Sequence, residues 1–232
     1  HSKRILYTGG EHLFALEDAT GTLVSSFGVV RKVILDIGLR GGPKSISVIP
    51  TSPGIVYKDL LILGSEVSEL YGAEPGYIRA YNIESGKLEW TFHTVPWPGE
   101  LGYETWPKDA WKYVGGVNDW GGMSSDEERG MVFLALGSPS YDYYGADRKG
   151  ENLFGNCVVA LDARTGRYIW HYQTVHHDLW DYDLPAPPNL VTLERDGKKL
   201  DAVAQTSKTG FLYVLDRETG EPLFPIEERK VP

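Results

Sequence analysis

Val158-Val159-Ala160-Leu161-Asp162-Ala163-Arg164-Thr165-Gly166, with Trp170 four residues beyond the glycine, is the stretch that decides the fold. An apolar run of strand length ends in an acid, two variable residues and Thr-Gly, and then a second strand pattern begins. An aspartate can cap such a turn with its side chain, and glycine takes the positive φ that closes it. The pattern recurs in Ala15-Leu16-Glu17-Asp18-Ala19-Thr20-Gly21, in Ala80-Tyr81-Asn82-Ile83-Glu84-Ser85-Gly86 and in Val214-Leu215-Asp216-Arg217-Glu218-Thr219-Gly220. Three copies carry an aromatic four residues after the glycine: Trp90, Trp170 and Phe224. Such a ring lies on the returning strand, where it can wedge between stacked sheets. The glycines are 65, 80 and 54 residues apart, a period that reads as a propeller blade of about four strands.

The rest of the chain agrees. Short aliphatic or aromatic runs at Arg4-Ile5-Leu6-Tyr7, Leu60 to Leu63, Met131 to Leu136 and Phe211 to Leu215 are bounded by Gly, Pro, Asp or Asn. No long stretch has a 3.6-residue apolar period. With 27 Gly, 14 Pro, 14 Tyr and 7 Trp in 232 residues, the composition favours strands and turns. The predicted fold is all-β: four-stranded antiparallel propeller blades in a single partial domain, residues 1–232, with blade turns near 17–21, 82–86, 162–166 and 216–220. The bland alternative, chance hairpins in a β-sandwich, has to produce one compound pattern four times. Four blades are the lower limit for a closed propeller, so a piece of a larger ring is expected. The uneven spacing implies long inserts. The richest, Phe92 to Val117 and Pro139 to Asn156, hold most of the free aromatics.

Several function classes drop out. A net charge of −9 argues against nucleic acid as the main partner, because phosphate binding needs a basic footprint. No apolar run approaches the roughly 18 residues of a membrane span. The lone Cys157 excludes an internal disulfide and a cysteine zinc cluster. No Gly-x-Gly-x-x-Gly, Walker loop or Cys-x-x-Cys-His motif is present, which removes nicotinamide, nucleotide and haem readings. No targeting segment is visible, since His1-Ser2-Lys3-Arg4 runs straight into a strand pattern. A removed signal or a start inside a longer protein is expected.

The repeat with its terminal Trp resembles the blade motif of the quinoprotein alcohol and sugar dehydrogenases, eight-bladed propellers that use pyrroloquinoline quinone (PQQ). Tyr172-Gln173-Thr174-Val175-His176-His177-Asp178-Leu179-Trp180-Asp181-Tyr182-Asp183-Leu184-Pro185 is similar to a segment of the membrane-type glucose, quinate and polyol branch. Ala204-Gln205-Thr206-Ser207-Lys208-Thr209-Gly210 resembles the same group. The likeness covers essentially the whole chain and implies about four blades of an eight-bladed ring.

The resemblance implies roles. Asp181, after the Leu-Trp pair, corresponds to the catalytic base that takes the substrate hydroxyl proton. Lys208 corresponds to a cation on the quinone oxygens, where it would offset developing negative charge. Glu69, in Gly64-Ser65-Glu66-Val67-Ser68-Glu69, falls where the family has a Ca²⁺-ligating carboxylate. The second protein ligand is expected after Met131 to Leu136, but Gly137-Ser138-Pro139-Ser140 lacks the amide of methanol-type members, leaving Ser138 and Ser140 as candidates. Trp120, in Val117-Asn118-Asp119-Trp120-Gly121-Gly122, matches the Trp on which the flat cofactor stacks, with its glycines expected to let the backbone approach. Thr51, before Ser52-Pro53, matches a cofactor-contacting segment.

Each residue also has a plainer reading. Lys208 could be a turn lysine, Glu69 an exposed acid, and His176, His177, Asp178 and Asp183 loop-fixing caps. A metal site at His176 and His177 is the weaker reading, since adjacent residues on a strand point to opposite faces. Loops Trp97 to Tyr113 and Pro139 to Phe154 are expected to shape the pocket mouth. The implied function is a PQQ- and Ca²⁺-dependent, periplasmic dehydrogenase of a sugar or polyol that passes electrons to a quinone. The alternatives are a non-catalytic PQQ-repeat scaffold, which would not need Trp120, Asp181 and Lys208 in one cavity, and a homodimer that completes the ring.

Overall fold

The computed structural model describes residues 3–40 and 48–229; the first two residues of His1-Ser2-Lys3-Arg4 lie outside them. Among the described residues the chain forms four antiparallel sheets in sequence order. The first holds β1 (Arg4–Gly9), β2 (His12–Glu17) and β3 (Val33–Ile34). The second holds β4 (Ile55–Tyr57), β5 (Leu60–Leu63), β6 (Ile78–Asn82) and β7 (Leu88–Phe92). The third holds β8 (Ser124–Asp126), β9 (Met131–Ala135), β10 (Cys157–Asp162) and β11 (Tyr168–Gln173). The fourth holds β12 (Asn189–Arg195), β13 (Lys198–Thr206) and β14 (Leu212–Asp216). Two sheets therefore have the expected four strands. In the fourth sheet, the next strand is reduced to a bridge between Leu215 and Pro222. In the first, β2 pairs with Leu23 and again with β3, so its partner strand is interrupted by an excursion.

The sheets stack face to face. One apolar cluster joins Ile62, Ile78 and Trp90 of the second sheet to Leu134, Val159 and Leu161 of the third. A second joins Phe133, Val158 and Trp170 to Val203 and Leu215. A third joins Leu13 and Ala15 to Leu61, Leu63 and Tyr81. The inner sheets are buried on both faces, so β5 and β9 are buried along their whole length, whereas β1 alternates partly buried with exposed residues. This is why their sequences read as continuous apolar runs. The short first strand β8 lies against both β4 and β12, as radially arranged sheets require.

The repeated turn is closed by a bond from the glycine N–H to the carbonyl four residues earlier, at Gly21, Gly86, Gly166 and Gly220. Asp162 Oδ1 accepts from Arg164 N, Thr165 N and Thr165 Oγ1, at 3.1, 2.8 and 2.7 Å. Asn82 and Asp216 repeat that triple contact, and all four glycines have positive φ. A Cβ on Gly166 would lie 2.5 Å from the Trp90 ring, and one on Gly220 2.5 Å from the Trp170 ring. Each tryptophan thus packs on the turn of the next sheet. The first sheet has no such tryptophan, and Gly28 and Val33 occupy the place against Gly86.

Candidate active site

Up-and-down connection of four strands puts the loops after the second and fourth strands at one end of a blade and the turns after the third at the other. Glu69 (β5–β6), Trp120 (β7–β8), Ser138 and Asp142 (β9–β10), Asp181 and Asp183 (β11–β12) and Lys208 (β13–β14) all sit on loops of the first kind. They line one cavity of about 310 Å³ at the end opposite the repeated turns. Five of the residues proposed from the sequence meet there: Glu69, Trp120, Ser138, Asp181 and Lys208.

Two proposed residues stand outside the wall. Thr51 donates its hydroxyl to the Trp120 carbonyl at 3.1 Å, so it holds the loop under the indole. Ser140 is buried, and its hydroxyl has no partner among the described residues. Beside Trp120, Gly121 makes room for the Pro185 carbonyl, 2.5 Å from where a Cβ would stand. Loop Trp97 to Tyr113 contributes nothing to the cavity; Trp106, Trp111 and Tyr113 pack over the core between the second and third sheets. Long aromatic inserts look like pocket walls in a sequence, but their large apolar area is stabilised equally well by covering a core.

Asp183 organises the site. Its Oδ2 accepts from Trp120 Nε1 and from Lys208 Nζ, both at 3.2 Å, and its Oδ1 accepts from Ser138 N at 2.6 Å. One carboxylate therefore ties the aromatic floor, the cation and the wall together. Its one sequence signal was position, two residues beyond Asp181. Lys208 Nζ also donates to Asp181 Oδ2 at 2.8 Å. Burial and the neighbouring Asp183 carboxylate push Asp181 above the usual carboxylate range, although Lys208 pulls it down. Burial works against the Lys208 charge, but the two aspartates outweigh it and raise its pKa.

Asp181 has a φ of 57°, in the left-handed region, and Asp178 holds the turn that presents it. Trp180 N donates to Asp178 Oδ1 at 2.9 Å, and Tyr182 N to Oδ2 at 2.6 Å. Ser138 Oγ and Asn156 Nδ2 donate to the same Oδ2 at 2.6 and 3.0 Å. The loop-fixing reading of Asp178 matches these contacts. His176 and His177 are on a loop, not a strand. His176 Nε2 lies 2.9 Å from Glu228, and His177 Nδ1 faces the Gly150 carbonyl at 2.9 Å.

Asp142 went unnoticed in the sequence. Burial first, then the carboxylates of Glu69, Asp181 and Asp183, push it up to about 7. Among the described residues, five acids and one lysine line the cavity, so this part of the wall is short of positive charge. That imbalance and the all-oxygen donor set suit a hard cation such as Ca²⁺. Among the described residues no three acidic or imidazole groups are already drawn into a metal cluster, so a bound ion would need oxygens from a second occupant. The partly buried Trp120 ring suits a planar one.

Known proteins resemble this chain closely. Residues 1–232 match the family described as PQQ glucose/ethanol/alcohol dehydrogenase, β-propeller domain. The quinate/shikimate dehydrogenase (quinone) of Acinetobacter baylyi is 37% identical over 223 residues, covering 94% of this chain and 27% of that protein. The glycerol dehydrogenase large subunit of Gluconobacter oxydans is 35% identical, covering 100% of this chain and 31% of its own length. The quinohemoprotein alcohol dehydrogenase ADHIIG of Pseudomonas putida superimposes with a TM-score of 0.80 at 30% identity, over 95% of this chain and 32% of that one. The chain thus spans about a quarter to a third of the length of these relatives.

Proposed function

The chain belongs to the PQQ glucose/ethanol/alcohol dehydrogenase β-propeller family, and from that premise we propose that it forms the catalytic face of a dehydrogenase oxidising a sugar or polyol. The observation that carries the proposal is the meeting of Trp120, Asp181, Lys208 and Glu69 around one cavity. A scaffold propeller has no need of that convergence.

PQQ held against the Trp120 ring would supply the acceptor for the substrate's hydride. Asp181 takes the substrate hydroxyl proton, and its raised pKa makes it a better acceptor than an ordinary exposed aspartate. The Lys208 ammonium, aimed by Asp181 and Asp183, stabilises negative charge developing in the cavity. Trp120, held by Asp183 through its indole N–H, presents a fixed flat face. Glu69 and Ser138 would hold Ca²⁺ through their oxygens, and the ion would supply Lewis-acid chemistry. Electrons pass to a quinone, the acceptor that the Acinetobacter relative's name states for that protein, and the face is periplasmic. Residues 1–232 form a single partial domain within an eight-bladed ring. Ile5 and Tyr7 on β1 are 51% and 41% exposed, an apolar face that a further blade, of the same polypeptide or a second copy, would cover. Light scattering separates the two: a monomer at high concentration leaves only the first.

The test is dye reduction by the complete protein loaded with PQQ and Ca²⁺, offered glucose, glycerol, quinate and ethanol. Turnover of at least one polyol is expected. Asp181→Asn should lower kcat by about 10²–10⁴-fold while PQQ stays bound. Wild-type kcat in that variant, or no turnover of any substrate, defeats the proposal.

A further inference from the structure

We propose that Asp142 is a further carboxylate ligand of the divalent cation held at the Glu69 side of the cavity. The inference rests on the proposal that this cavity binds Ca²⁺ with PQQ, and adds a ligand that the motifs do not mark. Asp142 is 5% exposed and lines the cavity, yet its carboxylate has no hydrogen bond or ion pair among the described residues. That isolation is unlike its neighbours. Asp178 accepts four hydrogen bonds and Asp183 accepts three. Both are fully employed within the protein, and Lys208 is already shared between Asp181 and Asp183.

A buried carboxylate without a donor is costly, because it loses water and gains no hydrogen bond in return. The Arg148 guanidinium attracts it through space but gives it no hydrogen bond. Arg148 is fully buried and gives its Nη atoms to Asn152, Asp178 and Tyr141. Glu69 and Asp142 approach the cavity from different loops, β5–β6 and β9–β10, with Ser138 on the same loop as Asp142. Repulsion between the two carboxylates disfavours their approach, and a divalent ion between them reverses its sign. Ca²⁺ accepts carboxylates in flexible geometry, so the long loop that carries Asp142 is no obstacle.

Calorimetric titration of Ca²⁺ into the complete, metal-stripped protein preloaded with PQQ provides the test. Wild type should bind one ion. Asp142→Asn, nearly isosteric, should bind it at least about tenfold more weakly, and Asp142→Glu should recover part of the loss. Without metal, Asp142→Asn should melt no lower than wild type, since it removes an unpaired buried charge. Asp142→Ser, smaller than the native side chain, replaces it in the titration if the Asn variant misfolds. Unchanged Ca²⁺ affinity in the Asn or Ser variant, with Glu69→Gln weakened, overturns the role of Asp142 and leaves the proposed function standing. So does a change confined to substrate KM. A wild type that binds PQQ but no Ca²⁺ overturns both.

Discussion

Two carboxylates in the site differ in what surrounds them, and their chemistry follows from that. Asp178 collects four donors and gives the protein a rigid turn, whereas Asp181, three residues on, is left to face the cavity. Replacing Asp178 with Ala strands the amides of Trp180 and Tyr182 and frees the left-handed turn at Asp181. We expect stability to fall by about 1–3 kcal/mol in urea titrations, and kcat to fall more than KM rises. Asp119, between the cavity-lining Asn118 and Trp120 but itself off the wall, offers a pH test. It is fully buried, and its pKa is pushed up to about 7 by burial, although Gly122 and Ala135 N–H groups pull it down. The unfolded carboxyl loses its proton near pH ~4. Folding therefore takes up a proton between about pH 4 and 7, and the stability from the protonated form is full below that window and lost as pH rises through it. In melting curves from pH 4 to 8, wild type should lose ground steadily against Asp119→Asn. A constant difference contradicts this.

At the scale of the element, the blade turn is legible because everything it needs is local. Asp162, Thr165 and Gly166 specify it within five residues, and Asn82 with Ser85 builds the same contacts from different side chains. What the glycine does beyond turning is not local. Gly166 and Gly21 have φ of 70° and 67°, but only Gly166 has an indole against it, and a Cβ at Gly21 meets nothing within 4 Å. Gly166→Ala should cost about 2–4 kcal/mol in chemical denaturation, from backbone strain plus displacement of Trp90, and Gly21→Ala only about 1–2 kcal/mol. Equal losses would mean that the Trp90 contact carries no weight.

The whole molecule is held by what passes between sheets. Besides the three apolar clusters, Arg129 at the β8–β9 turn donates to Asp126 beside it and reaches Asp201 on β13 and Glu218 in the following blade turn, at 2.7 and 2.9 Å. Arg217 reaches back to Asp126 at 3.1 Å. Partly exposed networks of this kind contribute little each, so Arg129→Ala should cost about 1 kcal/mol. The loss should shrink in molar NaCl, because the Debye length there is about 3 Å. A loss that salt leaves unchanged would assign the effect to packing of the arginine stem. The arrangement of sheets also explains the site: alternating strand direction sends every catalytic candidate to the same end.

The sequence alone determined the all-β blades and their turns, because a short motif and strand periodicity are encoded within a few neighbouring residues, while Asp181, Lys208, Trp120 and Glu69 became candidates only through the family resemblance of the segments that carry them. Only the tertiary structure decided which of the remaining residues join them. Asp183 and Asp142 entered, while Thr51, Ser140 and the loop from Trp97 to Tyr113 stood back from the cavity wall. A side chain's neighbours across loops from different sheets depend on how those sheets pack, and no local pattern carries that information.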